Sequence, residues 1–111
     1  MAIGRLRPRE LSERLGVGAE LLLLDVREPE EVAICRIEGS HHVPMGEVLE
    51  HARAEGGPLD PERPVVCICH HGIRSARVAG LLVQLGFSEV YNLEGGVEAW
   101  ALEVDPEMAR Y

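Results

Sequence analysis

The chain has 111 residues, of which 46% are hydrophobic, and this is enough to bury the core of one domain without stapling cross-links. Its 19 acidic and 11 basic residues give a net charge of −8, which argues against nucleic acids and acidic membranes as partners. Three cysteines make an odd count, and no segment is typical of a signal peptide or long enough to span a bilayer. We expect one domain over residues 1–111, with a core over about 3–102 and a tail over 103–111, in the cytoplasm with reduced thiols.

The first half of the chain alternates short apolar runs with segments of helical period. Leu11 and Leu15 share one face of a predicted helix, and Pro29 suits the first turn of another. A Gly-Gly-Pro sequence at residues 56–58 predicts a loop. We predict strands over residues 3–6, 21–24 and near 42–43, and helices over residues 8–15, 29–33 and 45–52.

The second half continues the alternation. Residues 64–68 are apolar and rich in β-branched side chains, as in a buried parallel strand. We predict a helix over residues 75–85, a strand over 90–93, a helix over 96–102 and a tail over 104–111. Five strands with intervening helices predict an α/β fold of three layers, with a mostly parallel five-stranded sheet covered by helices on both faces. Ligands gather at the carboxyl ends of such strands, where Asp25 and Cys69 fall.

The segment from Cys69 to Ser75 joins the predicted strand to the N-terminus of a helix. Loop amides and the positive end of the helix dipole favour anions at such a position, and Arg74 adds a positive charge. Gly72 fits a loop that needs positive φ or a close backbone approach. A thiol in this setting ionises more readily than a free one, so we expect Cys69 to be a nucleophile in an anion-binding loop.

Three segments, at residues 23–28, 69–75 and 93–100, resemble the signature segments of single-domain rhodaneses and occur in the same order. The resemblance runs from about residue 3 to residue 100, and the loop with its helix is its most specific part. Residues 34–37 and the tail ending in Arg110 and Tyr111 are similar to rhodanese domains attached to enzymes that activate ubiquitin-like sulfur carriers. The sequence departs at Cys35-Arg36-Ile37, where many members have Gly-His before the Ile.

The resemblance implies sulfur transfer through a persulfide on Cys69, from a donor such as thiosulfate to a thiophilic acceptor, without a metal or organic cofactor. The expected partners are a small anionic sulfur donor and a thiol or sulfur-carrier protein as acceptor. Asp25 and Arg27 would brace the loop, and Arg74 would help to bind the donor. The amides expected to hold the persulfide and its donor belong to His70, His71, Gly72, Ile73, Arg74 and Ser75.

Three other functions compete with this one. Cysteine-dependent phosphatases and arsenate reductases place five residues between the cysteine and the arginine, whereas four separate Cys69 from Arg74 here. A non-catalytic interaction module is the second alternative, because fold alone does not give function. A metal site is the third, but its candidate ligands are spaced unlike those of structural zinc sites. Those candidates are Cys67, Cys69, His70 and His71, with His41, His42 and His51 at a distance.

Individual side chains also have two interpretations. Asp25 could act as a general base, but we expect its carboxylate to accept hydrogen bonds from the loop amides. We expect Cys67, Cys35 and Trp100 to be buried side chains rather than functional groups. The rings of His70 and His71 could tune the thiolate or be passive.

Overall fold

The computed structural model describes residues 3–111, so Met1 and Ala2 of the predicted domain lie outside the described part. It contains a five-stranded sheet in the order β1-β5-β4-β2-β3. The strands are β1 (Gly4–Leu6), β2 (Leu22–Asp25), β3 (His41–His42), β4 (Val65–Ile68) and β5 (Val90–Leu93). The α-helices are α1 (Pro8–Gly16), α2 (Pro29–Ile34), α3 (Val48–Arg53), α4 (Ile73–Gln84) and α5 (Gly96–Glu103), and a short 3₁₀ helix (Met45–Glu47) precedes α3.

Every strand pair of this sheet is parallel, which confirms the predicted α/β class and sharpens "mostly parallel" to wholly parallel. Successive side chains of β2 and β4 point to opposite faces, so each strand supplies two apolar clusters. Leu24 and Cys67 pack on the face covered by α3 and α4, with Val48, Val78 and Leu82. The other face carries Leu23, Val66 and Ile68 under Leu11 of α1 and Val97 and Trp100 of α5.

The element bounds differ from the sequence prediction by one or two residues at several elements, and residues 45–52, predicted as one helix, form the 3₁₀ helix followed by α3. Asp25 belongs to β2, where it pairs in register with Ile68 of β4, whereas the sequence places the end of the strand before it. Helix α4 begins at Ile73, two residues earlier than predicted, because Gly72 in the left-handed region allows the chain to turn directly into the helix. The carboxyl ends of β2 and β4 therefore lie side by side.

None of the helices within residues 3–111 combines the length and the apolar character that crossing a membrane would need.

Candidate active site

Cys69 directly follows β4 and is buried, with 1% of its surface exposed. The loop after it turns back at Gly72, whose φ of 96° is unfavourable for other residues, so that the amides of the loop face the sulfur. The Gly72 amide donates a hydrogen bond to the Cys69 Sγ over 3.0 Å, and the Ser75 hydroxyl lies 3.3 Å from the same sulfur. Helix α4 then runs for 12 residues with its positive end at this loop.

These contacts change the acidity of the Cys69 thiol. Burial alone would raise its pKa, but hydrogen bonds from the Ser75 hydroxyl and from the amides of Ser75, Gly72 and His71 outweigh burial and lower the pKa below the ordinary 9.0. Cys67 lies two residues earlier in β4, and no hydrogen-bond donor among residues 3–111 lowers its pKa. Burial raises the pKa of Cys67 to about 12, so this side chain is an inert part of the core.

The first residues of α5 fix the main chain of the loop by hydrogen bonds. The amides of Val97 and Glu98 donate hydrogen bonds to the carbonyl oxygens of Cys69 and His70, over 2.9 and 3.1 Å. Gly96 permits this approach: its φ is 60°, and a Cβ there would clash with both of these carbonyl oxygens. The main chain at Cys69 is thus positioned by a helix that begins 27 residues later in the sequence.

Asn92 of β5 contacts the loop from the side, and the sequence analysis missed it. Its amide nitrogen donates a hydrogen bond to the Gly72 carbonyl over 3.0 Å, and its Oδ1 accepts one from the Ser75 hydroxyl over 2.5 Å. Asn92 is the only asparagine of the chain and interrupts an otherwise apolar strand. That interruption is the signal that could have drawn attention to it.

Asp25 and Arg27, which we expected to brace the loop, form a buried ion pair with each other. The Asp25 carboxylate accepts hydrogen bonds from the amide and guanidinium of Arg27, the shortest over 2.7 Å, and from no loop amide within residues 3–111. The guanidinium also donates to the carbonyl oxygens of Glu31 and Cys35, over 3.3 and 2.7 Å. This corrects the expectation for Asp25. Its carboxylate accepts hydrogen bonds from Arg27 and not from the loop amides, and the pair fixes α2 instead of the Cys69 loop.

Arg74 reaches across to α2 and pairs with Glu31. Both terminal nitrogens of its guanidinium donate to the Glu31 carboxylate over 2.7 Å, a bidentate geometry. The hydrogen bonds from Arg74 lower the pKa of Glu31 to about 2, against an opposing effect of burial, so the carboxylate stays charged at any physiological pH. The sequence predicts a free positive charge at Arg74, whereas the structure pairs it with a neighbouring negative charge.

The segment after α5, predicted as a tail, folds back beside the loop. The Tyr111 ring stacks on His70 with 3.8 Å between the ring centroids, and His70 stacks in turn on His71 at 3.9 Å. The Tyr111 hydroxyl accepts a hydrogen bond from Arg27 over 3.0 Å and donates one to Glu31 over 2.9 Å. Arg110 pairs with Glu98 of α5.

The remaining candidates have less direct contacts with the sulfur. Ile73 is 69% exposed. Cys35 is half-buried, not fully buried as expected, and its Sγ lies 3.7 Å from an Arg27 nitrogen. His42 Nε2 lies 2.6 Å from the Arg27 carbonyl oxygen. Within residues 3–111, no three His, Cys, Asp or Glu side chains converge in a way that could hold a metal ion.

Comparison with known proteins agrees with this fold. The model of the rhodanese-like domain matches residues 7–103. YtwF of Bacillus subtilis is named as a sulfurtransferase. It is 38% identical over 107 residues, which cover 96% of this chain and 99% of YtwF. The thiosulfate sulfurtransferase GlpE of Pseudomonas aeruginosa is 34% identical over 96 residues, 86% of this chain and 82% of GlpE.

A solved structure and a longer relative complete the comparison. The crystal structure of a rhodanese-related protein from Thermoplasma volcanium superimposes with a TM-score of 0.74 at 32% identity, over 91% of this chain and 93% of that one. MoeZ of Mycobacterium tuberculosis, named for adenylyl and sulfur transfer, is 37% identical over 94% of this chain, which spans only 26% of the length of MoeZ. Since the family model, the full-length relatives and the fold agree, the chain belongs to the rhodanese-like family and is a relative of its sulfurtransferases.

Proposed function

We propose that this protein is a sulfurtransferase that accepts a sulfane sulfur on Cys69 as a persulfide and passes it to a thiophilic acceptor. One observation carries the proposal: the Cys69 Sγ lies in a loop whose Gly72 amide and Ser75 hydroxyl point at it from 3.0 and 3.3 Å. Such donors stabilise the thiolate that must attack the sulfur donor.

The first step joins the Cys69 thiolate to the outer sulfur of the donor. With thiosulfate, the thiolate attacks that sulfur, the S–S bond of the donor breaks with its electron pair on the departing sulfite, and a Cys69 persulfide anion remains. The hydrogen bonds that lower the pKa of Cys69 favour the thiolate form that attacks the donor. The amides of residues 70–75 are the groups we assign to the new anionic sulfur.

The second step returns Cys69 to its thiolate. A nucleophile attacks the terminal sulfur of the persulfide, the Cys69 S–S bond breaks with its electrons on the Cys69 sulfur, and the acceptor leaves with one additional sulfur. Cyanide would leave as thiocyanate in an assay, and a thiolate would leave as a persulfide. The similarity to GlpE supports thiosulfate as a test donor. The resemblance of residues 34–37 and of the tail to rhodanese domains of enzymes that activate sulfur carriers supports a sulfur-carrier protein as an acceptor in the cell.

The test is the intact mass of the reduced protein after incubation with thiosulfate, beside the Cys69→Ser variant. We expect the parent to gain one sulfur atom and to lose it again on addition of cyanide. The Cys69→Ser variant keeps the size of the side chain without its nucleophilicity, so it should gain nothing and keep the unfolding midpoint of the parent. A parent that gains no sulfur from thiosulfate or from a persulfide donor would indicate a non-catalytic module instead.

A further inference from the structure

Three arginines around the Cys69 loop each pair with a carboxylate. Arg27 pairs with Asp25, Arg74 pairs with Glu31, and Arg110 pairs with Glu98. These three arginines therefore add no net positive charge to the mouth of the site. The loop amides and the positive end of α4 still attract an anion, but their field is weaker than that of a free guanidinium.

The Arg74–Glu31 pair is the one that matters for a donor, because Arg74 belongs to the loop itself and its charge acts on the Cys69 thiolate. Its side chain is 32% exposed and that of Glu31 is 20% exposed, so the pair lies at the surface of the site. The bidentate contact uses two of the five guanidinium N–H groups. Arg74 can still donate hydrogen bonds to a ligand, but its positive charge is already neutralised.

Glu31 is not free to move away when a donor arrives. One carboxylate oxygen also accepts a hydrogen bond from the Glu28 amide over 2.9 Å, as part of the capping box that starts α2. The other oxygen also accepts the Tyr111 hydroxyl over 2.9 Å. A donor that competed for Arg74 would have to leave Glu31 in place as a second negative charge at the same guanidinium.

We infer that Glu31 is a specificity-determining residue, which neutralises Arg74 and so disfavours dianionic donors such as thiosulfate relative to donors of lower charge such as thiol persulfides. The inference rests on the proposed sulfur transfer. It assigns the donor preference to a residue on α2 that need not touch the transferred sulfur. It also implies that thiosulfate is a usable but poorly bound donor for this chain.

Two donors with the same reactive bond test the charge effect. Thiosulfate and methanethiosulfonate both release their outer sulfur to a thiolate, but the first carries two negative charges and the second carries one; their leaving groups are sulfite and methanesulfinate. The measurement is KM for each donor with cyanide as acceptor, read as thiocyanate formed. We expect Glu31→Gln to lower KM by about tenfold for thiosulfate and only about threefold for methanethiosulfonate.

The control is Glu30→Gln. Glu30 is the neighbouring residue of α2, is exposed and does not contact Arg74 within the described residues. Its substitution by Gln changes the net charge by the same amount as Glu31→Gln. It should change either KM by less than about twofold. Gln keeps an acceptor for the Glu28 amide, and a thermal midpoint close to that of the parent shows that the variant is folded. Arg74→Ala should abolish the gain from Glu31→Gln if Glu31 acts through Arg74.

The outcomes separate the inference from the proposed function. One outcome is that mass spectrometry shows a Cys69 persulfide in the parent, but the ratio of the KM for thiosulfate to the KM for methanethiosulfonate is the same in Glu31→Gln and Glu30→Gln. In that case the specificity role of Glu31 is wrong and sulfur transfer stands. The same conclusion follows if the gain persists without Arg74. If no persulfide forms on Cys69 from either donor, sulfur transfer itself is wrong.

Discussion

The Ser75 hydroxyl lies between two acceptors, 2.5 Å from the Asn92 Oδ1 and 3.3 Å from the Cys69 Sγ. A hydroxyl has one proton, so it can donate fully to only one of them at a time. The hydrogen bond from the Asn92 amide nitrogen to the Gly72 carbonyl fixes which end of the amide faces Ser75. Asn92 therefore holds the hydroxyl beside the sulfur, and its Oδ1 and the sulfur compete for the single hydroxyl proton.

We predict that Ser75→Ala raises the pKa of Cys69, because the variant keeps the loop amides but loses the side-chain hydrogen bond to the thiolate. The measurement is the rate of alkylation at Cys69 between pH 5 and about 10, followed by peptide mass. The midpoint of the profile should move to higher pH. Ser12→Ala, on α1 away from the loop, should leave it unchanged. An unmoved midpoint in Ser75→Ala would assign the acidity to the amides alone.

A second prediction concerns two glycines that begin or lie within helices. Gly96→Ala should destabilise the fold by about 2–4 kcal/mol, because the added methyl meets the carbonyl oxygens of Cys69 and His70 at a positive φ. Gly80→Ala should stabilise it by roughly 0.5–1 kcal/mol, because Gly80 lies inside α4 with nothing within 4 Å of the added atom. Urea unfolding of both variants measures the difference. Equal stabilities would contradict the close contact between α5 and the loop.

The third prediction concerns the Asp25–Arg27 pair, in which both side chains are at most 1% exposed. Arg27→Ala should cost about 3–5 kcal/mol in the free energy of unfolding, because it leaves a buried carboxylate without its partner. Adding Asp25→Asn should recover part of that loss. Arg5→Ala removes an arginine that is 81% exposed and should cost less than about 0.5 kcal/mol. A loss in Arg27→Ala that Asp25→Asn does not reduce would indicate lost packing, not an unpaired charge.

The sequence predicts the elements of this fold well because each depends on nearby residues. Apolar runs such as residues 65–68 and helical spacing such as Val78 and Leu82 are local patterns, and each corresponds to an element of the structure. The bounds of several elements shift by one or two residues. At the start of α4, the left-handed conformation of the single residue Gly72 decides where the helix begins. The adjacent ends of β2 and β4 follow from the rule for parallel sheets.

The polar partners of the site could not be predicted in the same way. Glu31 is one of three glutamates among four residues, and nothing local distinguishes the one that meets Arg74, which lies 43 positions away. Asn92 stands out only because it is polar within an apolar strand. Tyr111 lies 80 positions from Glu31, so their hydrogen bond depends on how the complete chain folds. Charge at Arg74 is visible in the sequence, whereas its neutralisation is a property of the tertiary structure.

The position of Asn92 and Gly96 in the last fifth of the chain has a consequence for biosynthesis. A ribosome completes Cys69 and its loop before β5 and the start of α5 have been made, so the loop initially lacks the contacts that fix it. We expect the thiol of such a nascent chain to behave as an ordinary cysteine. The reactive sulfur would then arise only in molecules that have finished folding, which protects incomplete chains from premature modification at this position.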